Sequence, residues 1–113
     1  MDTRAKIVPA AEARLLIPAG AIVAAGHFDP LLAVHAARLA AARGQAPFLA
    51  VVVTDPPRPI LPARARAELV AALRVVDLVV LDGPQAPEPA LDFRAEDASA
   101  SAAFIEFVHR RQN

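Results

Sequence analysis

Residues 21–42 join an uninterrupted apolar run, a short turn and a helical pattern. The run at residues 21–25 has no polar side chain, which is typical of a strand buried on both faces of a parallel sheet. Gly26 is expected to let the chain leave this strand sharply. Pro30 suits the first turn of a helix, and Asp29 before it is the predicted N-cap. The segment therefore predicts a strand, a tight turn and a helix whose N-terminus is a natural seat for a phosphate.

The same alternation continues along the chain. Helices are predicted for residues 30–43 and 62–74, where apolar side chains recur at helical spacing. Residues 47–53 and 75–81 are rich in β-branched side chains and predict two more buried strands. Because a strand, a helix and a second strand in succession form a right-handed parallel crossover, the predicted fold is a small doubly wound α/β domain of Rossmann type, with helices on both faces of the sheet.

The chain of 113 residues is long enough for one domain with a single core, so residues 1–113 are predicted to form one unit. Residues 1–20 are interpreted as a lead-in segment that includes two helical turns. The pattern is lost over residues 84–98, which are interpreted as an irregular connection in which only residues 91–93 resemble a short strand. Residues 99–111 are predicted to form a C-terminal helix with an apolar face.

Charge and cysteine content exclude several classes of function. Twelve basic and twelve acidic residues cancel without a cluster of either sign, so no nucleic-acid partner is expected. The absence of cysteine excludes disulfides, thiolate zinc sites and a cysteine nucleophile. Glu12, Arg14 and Pro18 argue against a signal peptide, and no apolar run is long enough to span a bilayer. A cytoplasmic protein without a membrane partner is the expectation.

A family resemblance rests on three segments that occur in the right order. Residues 26–35, GHFDPLLAVH, resemble the G-x-F-D-x-x-H-x-G-H signature of the cytidylyltransferase-like nucleotidyltransferases. Residues 58–60 and 66–77 are similar to the R-P-I and R-A-x-x-x-A-A-L-R-x-V-D segments of the adenylyltransferase half of the ADP-heptose synthases, and residues 6–8 resemble its opening. Glycerol-3-phosphate cytidylyltransferase belongs to the same family. The resemblance covers roughly residues 6–81 and implies the nucleotidyltransferase version of the predicted fold.

The resemblance implies an activity. Members of this family join a nucleoside triphosphate to a phosphorylated acceptor and release pyrophosphate with Mg²⁺ present, so positioning and charge stabilisation carry the reaction. The implied cofactor is Mg²⁺ with CTP or ATP, and the implied partner is a nucleotide or another phosphorylated small molecule. Because the three histidines are scattered, no metal site made of protein ligands is predicted. Since the family often dimerises, a homodimer is a further expectation.

The resemblance also implies the site residues. His35 matches the second signature histidine and is the candidate catalytic residue, the alternative being a helix histidine held in a hydrogen-bonded niche. Arg38 lies one turn further along the same helix face, and Arg58 is the nearest substitute for a loop lysine, since Lys6 is the only lysine of the chain. Arg66 is interpreted as a surface charge. The predicted nucleotide- and phosphate-binding residues are Gly26, His27, Phe28, Asp29, His35, Arg38, Arg58, Ser99 and Ser101.

Alternatives remain open for several of these residues. His27 is also explained as an ordinary turn residue, and Ser99 and Ser101 as helix caps. Arg38 is also explained as a solvated helix residue, and Arg58 as an ordinary surface charge. The signature itself is degenerate, because Leu32 stands at the position of the first histidine and Val34 at that of the glycine. Two hypotheses follow: a nucleotide-binding protein with weak or lost transferase activity, or a pseudoenzyme kept as a dimerisation or protein-interaction module.

Overall fold

The computed structural model describes residues 2–94. The C-terminal helix predicted at residues 99–111, with Ser99 and Ser101, lies outside the described residues. Eight regular elements follow a short 3-10 helix at Thr3–Lys6. They are β1 (Ile7–Pro9), α1 (Ala10–Leu16), β2 (Ile22–Gly26), α2 (Ala33–Arg43), β3 (Leu49–Val53), α3 (Ala63–Ala71), β4 (Leu78–Leu81) and β5 (Leu91–Asp92).

The strands form one parallel sheet in the order β1-β4-β3-β2-β5. Central β3 is buried on both faces, as its apolar sequence predicts. Its residues 49, 51 and 53 pack into a cluster with side chains of α2 and α3, while residues 50 and 52 join a second cluster with α1. Helices therefore cover both faces of the sheet, and the predicted doubly wound α/β fold is confirmed.

Residues 1–20, which were interpreted as a lead-in segment, contribute a helix and a strand to the fold. This segment contains α1, the two helical turns expected there, and β1, which pairs with β4 through Ile7 and Val79. Pro9 ends this edge strand, at a position where a missing N–H removes no ladder hydrogen bond. The short strand expected within residues 91–93 is present as β5 on the other edge.

The predicted helices begin earlier than the observed ones. α2 begins at Ala33 instead of residue 30, because the chain is still extended at Leu32, with φ −109° and ψ 162°. Gly44 ends this helix at a positive φ of 43°, a backbone region that glycine tolerates. No helix within residues 2–94 combines the length and apolar character that a membrane span requires.

The segment of residues 66–77 ends at the edge of the sheet opposite the turn after β2. Strands β2, β3 and β4 end at the carboxyl edge, where the turn after Gly26 leaves the sheet. At the amino edge, Arg43 donates hydrogen bonds to Asp77 and to the carbonyl of Val75, and Asp77 accepts the N–H of Leu49. The Asp77 carboxylate therefore ties strand beginnings together and stands away from the turn.

Candidate functional site

The turn that follows β2 is anchored in the core by Phe28. Its backbone lies in the left-handed region at φ 49°, and its side chain is fully buried. The ring packs edge-on against His35 at 5.4 Å and against Phe93 at 6.2 Å between ring centroids. The sharp exit expected at Gly26 is therefore made at Phe28, while Gly26 completes β2 and its carbonyl accepts the N–H of Thr54. The predicted ligand contact of Phe28 would have to come from its backbone.

Asp29 has a different structural role from the predicted one. Its side chain is 2% exposed, and its two oxygens accept the backbone N–H groups of Ile60 and Leu61 at 2.6 and 2.8 Å. Leu32, not Asp29, is the N-cap of α2. The N-cap prediction is wrong because the chain is still extended at Leu32 and the helix begins only at Ala33. Asp29 instead tethers the loop after β3 to the turn after β2.

Substitution of Asp29 tests this tether. Asp29→Ala is expected to lower the free energy of unfolding by about 2 to 4 kcal/mol, because two charge-assisted hydrogen bonds are lost at a buried position. If Asp29 were only an N-cap, the same substitution would lower the free energy of unfolding by only about 1 kcal/mol. Urea denaturation followed by far-ultraviolet circular dichroism measures the difference.

Amide hydrogen exchange separates the two roles more sharply. The variant is expected to speed exchange at Ile60 and Leu61 and to leave the first-turn amides of α2 unchanged. Asp92→Ala removes an exposed carboxylate paired with Arg94 and is the control for the denaturation experiment. It is expected to lower the free energy of unfolding by at most about 1 kcal/mol. Faster exchange at the first turn of α2 alone would contradict the tether.

His35 is held in one orientation by the start of its own helix. The side chain is 5% exposed, and its Nδ1 accepts the N–H of Leu32 at 2.9 Å. A ring nitrogen that accepts a hydrogen bond carries no proton, so the neutral ring has its N–H at Nε2. The hydrogen-bonded niche, which the sequence analysis gave as the alternative for His35, is therefore present and fixes the orientation of the ring.

The two departures from the signature lie at the surface. Leu32 is 36% and Val34 56% exposed, so neither side chain fills the interior beside His35. The side chain of Leu32 cannot donate a hydrogen bond, and Val34 places methyl groups at the first turn of α2. Neither side chain therefore disturbs the core beneath the start of the helix.

Arg66 is the residue whose role the sequence did not reveal. It is 1% exposed, not the surface charge that was expected. Its guanidinium donates to the carbonyls of Thr54 at 2.6 Å, Leu61 at 3.0 Å and His27 at 3.1 Å. It also pairs with the carboxylate of Asp55 at 2.9 Å. One cation thus fixes the turn after β2, the end of β3 and the loop before α3 relative to one another.

A second polar pair crosses the carboxyl edge beside this arginine. Nδ1 of His27 lies 2.7 Å from the hydroxyl oxygen of Thr54. His27 is half-buried and Thr54 is buried, at the ends of β2 and β3. Together with Arg66 and Asp29, this pair makes the turn and the loop after β3 one connected polar assembly, which we call the edge assembly.

The predicted arginines of the site lie outside this assembly. Arg38 is exposed, and its guanidinium stands over the ring of Phe93 at 5.5 Å from the centroid, a cation–π contact. Arg58 is exposed on the loop after β3, two residues before the tethered Ile60. The structure therefore groups Gly26, His27, Phe28, Asp29 and His35 around the connection between β2 and α2, and Arg38 and Arg58 lie on the surface outside it.

A cleft of about 310 Å³ opens at the carboxyl edge, against the ends of β2, β3 and β4. Its walls combine apolar side chains of the strands and of the proline-rich connection with the charged Asp82, Glu88 and Arg94. Arg94 hydrogen-bonds the Asp92 carboxylate and holds the pKa of that group below its usual value. Among residues 2–94, no three histidine or carboxylate side chains are grouped to hold a metal ion. The lining residues are Ala25, Val52, Thr54, Asp82, Gly83, Pro84, Ala86, Pro87, Glu88, Pro89 and Arg94.

Comparison with known proteins does not identify a family. No protein-family model matches the chain, and no curated protein matches it. The resemblance to the nucleotidyltransferases therefore stays a prediction from the three sequence segments.

Proposed function

We propose that this chain binds a nucleotide or another phosphorylated small molecule at the carboxyl edge of its sheet, with transferase activity that is weak or lost. The observation that carries the proposal is the cleft of about 310 Å³ against the ends of three parallel strands. In open α/β sheets, ligands bind outside the carboxyl ends of the strands, and a cavity of this size is at the small end of the range for ligand sites.

The edge assembly supports the phosphate half of this proposal. A binding turn that is already fixed loses little conformational entropy when a ligand arrives. Arg66 and Asp29 fix the turn after β2 from both sides, through carbonyl and N–H groups respectively. The turn leads to α2, whose first N–H groups and positive dipole end favour a phosphate. His35, whose ring is held at the first turn of α2, is the side chain that we propose beside that phosphate.

The charges of the cleft support the placement of the nucleoside half. Asp82 and Glu88 contribute two carboxylates, while the nearby Arg94 is already paired with Asp92. Carboxylates repel phosphate but accept hydrogen bonds from ribose hydroxyls and from ring amino groups. The nucleoside would therefore occupy the cleft while the phosphates lie toward α2. Mg²⁺ would be held mainly by the phosphates and water, as it commonly is.

The weak point of the site is the first turn of α2. Leu32 and Val34 remove a donor and add bulk at the N-terminus that would face the reacting phosphate. Loss of one preorganised donor typically lowers the rate about a hundredfold to a thousandfold. The proposal is accordingly a binding site inherited from a transferase. The pseudoenzyme module is the alternative if no nucleotide binds.

Nuclear magnetic resonance titration tests binding. Adding Mg²⁺ with CTP or ATP is expected to shift the amide signals of residues 27–35 and 82–89 at millimolar ligand. Pyrophosphate alone should shift only the first group, and the nucleoside alone only the second. The titration suits this chain because it has no tryptophan or tyrosine for fluorescence quenching. If neither nucleotide moves either group at millimolar concentration, the binding proposal fails and the module hypothesis remains.

A further inference from the structure

We propose that the base bound in the cleft at the carboxyl edge is guanine, selected by the carboxylate of Glu88 and the guanidinium of Arg94. This inference rests on the proposed function and deepens it, since it names the base of the nucleotide. It departs from the CTP or ATP that the resemblance implies. The choice follows from the polar groups of the cleft, because a polar atom of the ligand that loses water without gaining a partner weakens binding.

The cleft offers a ligand few hydrogen-bond donors. Three of the residues that line it are prolines, which have no N–H group: Pro84, Pro87 and Pro89. The N–H of Gly83 already donates to the carboxylate of Asp82 at 2.9 Å, and the N–H of Ala86 donates to the carbonyl of Gly83 at 3.0 Å. The hydroxyl of Thr54 is paired with the ring of His27. A base with several acceptors on its edge would therefore find few partners here.

The charged side chains of the cleft are two carboxylates and one guanidinium. Glu88 takes part in no ion pair among residues 2–94, so both of its oxygens can accept hydrogen bonds from a ligand. The pKa of Arg94 is raised above its usual value, first by the hydrogen bond to Asp92 and further by the charges of Asp82 and Glu88. The bonds of Arg94 to Asp92 use Nε and Nη2, so Nη1 can donate to a ligand. One carboxylate and one donor therefore face the same cleft.

Guanine is the base whose edge matches these groups. Its N1–H and its 2-amino group are adjacent donors that one carboxylate accepts together, and its O6 is an acceptor beside them. Adenine and cytosine each place a ring acceptor next to the amino group, and uracil places an acceptor on both sides of its N–H. Those acceptors would meet the negative charge of Glu88. With guanine, Glu88 would hold N1–H and the 2-amino group while Nη1 of Arg94 donates to O6.

Titration of the full chain with GTP, ATP, CTP and ITP tests the choice of base. Mg²⁺ is present throughout, and the dissociation constants are taken from the amide shifts of residues 82–89. GTP is expected to bind about tenfold more tightly than ATP or CTP, within the discrimination that one bidentate pair with a base edge supplies. ITP keeps N1–H and O6 but lacks the 2-amino group, so its affinity should fall between those of GTP and ATP.

Glu88→Gln tests the selecting side chain. A glutamine amide is both a donor and an acceptor and pairs well with adenine, so the variant should lose the preference for GTP and bind ATP at least as tightly. Glu12→Gln is the matched control, because it removes the same charge at an exposed position of α1 that does not line the cleft. This control should keep the tenfold preference of wild type.

The outcomes separate this inference from the function on which it rests. Binding of ATP or CTP as tightly as GTP would overturn the assignment of guanine and leave the nucleotide site standing. A preference for GTP that survives Glu88→Gln, or that Glu12→Gln removes equally, would also overturn it. If no triphosphate shifts the amide signals of residues 82–89, the proposed function itself fails, and the assignment of the base fails with it.

Discussion

Arg66→Met is expected to lower the free energy of unfolding by about 3 to 5 kcal/mol and the melting temperature by at least about 12 °C. Methionine keeps the apolar stem of the side chain but removes every donor. The carbonyls of His27, Thr54 and Leu61 then lose their hydrogen bond to the guanidinium, in a place from which water is largely excluded. A lysine would recover only part of the loss, because a single ammonium group cannot span acceptors on three segments.

The same substitution two residues earlier is the control. Arg64 is exposed on α3 and pairs with Glu68 at 3.4 Å, one helical turn away. Arg64→Met is expected to cost no more than about 0.5 kcal/mol, the usual contribution of such a surface pair. Urea denaturation followed by circular dichroism compares the two variants. Equal losses would mean that Arg66 contributes no more than a surface charge, and that the edge assembly does not depend on it.

Restoring the signature is expected to have the largest effect on activity. The double variant Leu32→His, Val34→Gly should increase pyrophosphate release by about a hundredfold to a thousandfold over wild type, the size of one recovered transition-state donor. Both positions are partly exposed, so the new side chains need no rearrangement of the core. The assay supplies CTP or ATP, Mg²⁺ and a panel of phosphorylated polyols and sugars as acceptors.

His35 provides the control for this gain. His35→Ala in the background of the double variant should abolish the increase, because the fixed imidazole is the second half of the restored pair. His35→Ala also removes the acceptor for the backbone N–H of Leu32. Circular dichroism must therefore first show that the triple variant is folded. A double variant that binds nucleotide but releases no pyrophosphate would contradict the expected gain. The chain would then be a nucleotide-binding protein without transferase activity.

The fold was largely predictable because the amino-acid composition of the strands indicates that they are buried. β3 is a run of apolar, mostly β-branched residues, and a strand buried on both faces of a parallel sheet requires that composition. β1 was missed because three residues that end in proline carry almost no periodic signal. Its place in the sheet depends on pairing with β4, a partner some seventy residues away in the chain.

The turn that carries the candidate site was predictable from the sequence, but the contacts that hold it were not. The turn after β2 follows from local sequence, since a glycine, a proline and a helical pattern lie within a few residues of one another. The burial of Arg66 does not, because an arginine on an alanine-rich helix is usually solvated, and its acceptors are backbone carbonyls that any sequence supplies. One weak signal existed: Arg66 is one helical turn before the buried Val70, on the same face.

The connection between β4 and β5 has a consequence for the entropy of folding. Residues 82–90 carry the chain past β3 and β2 to the far edge of the sheet without a helix. Three of these nine residues are prolines, at positions 84, 87 and 89. Proline narrows the conformations open to the unfolded chain, so an extended connection loses less freedom when it becomes ordered. The three prolines therefore lower the entropy cost of ordering one wall of the cleft.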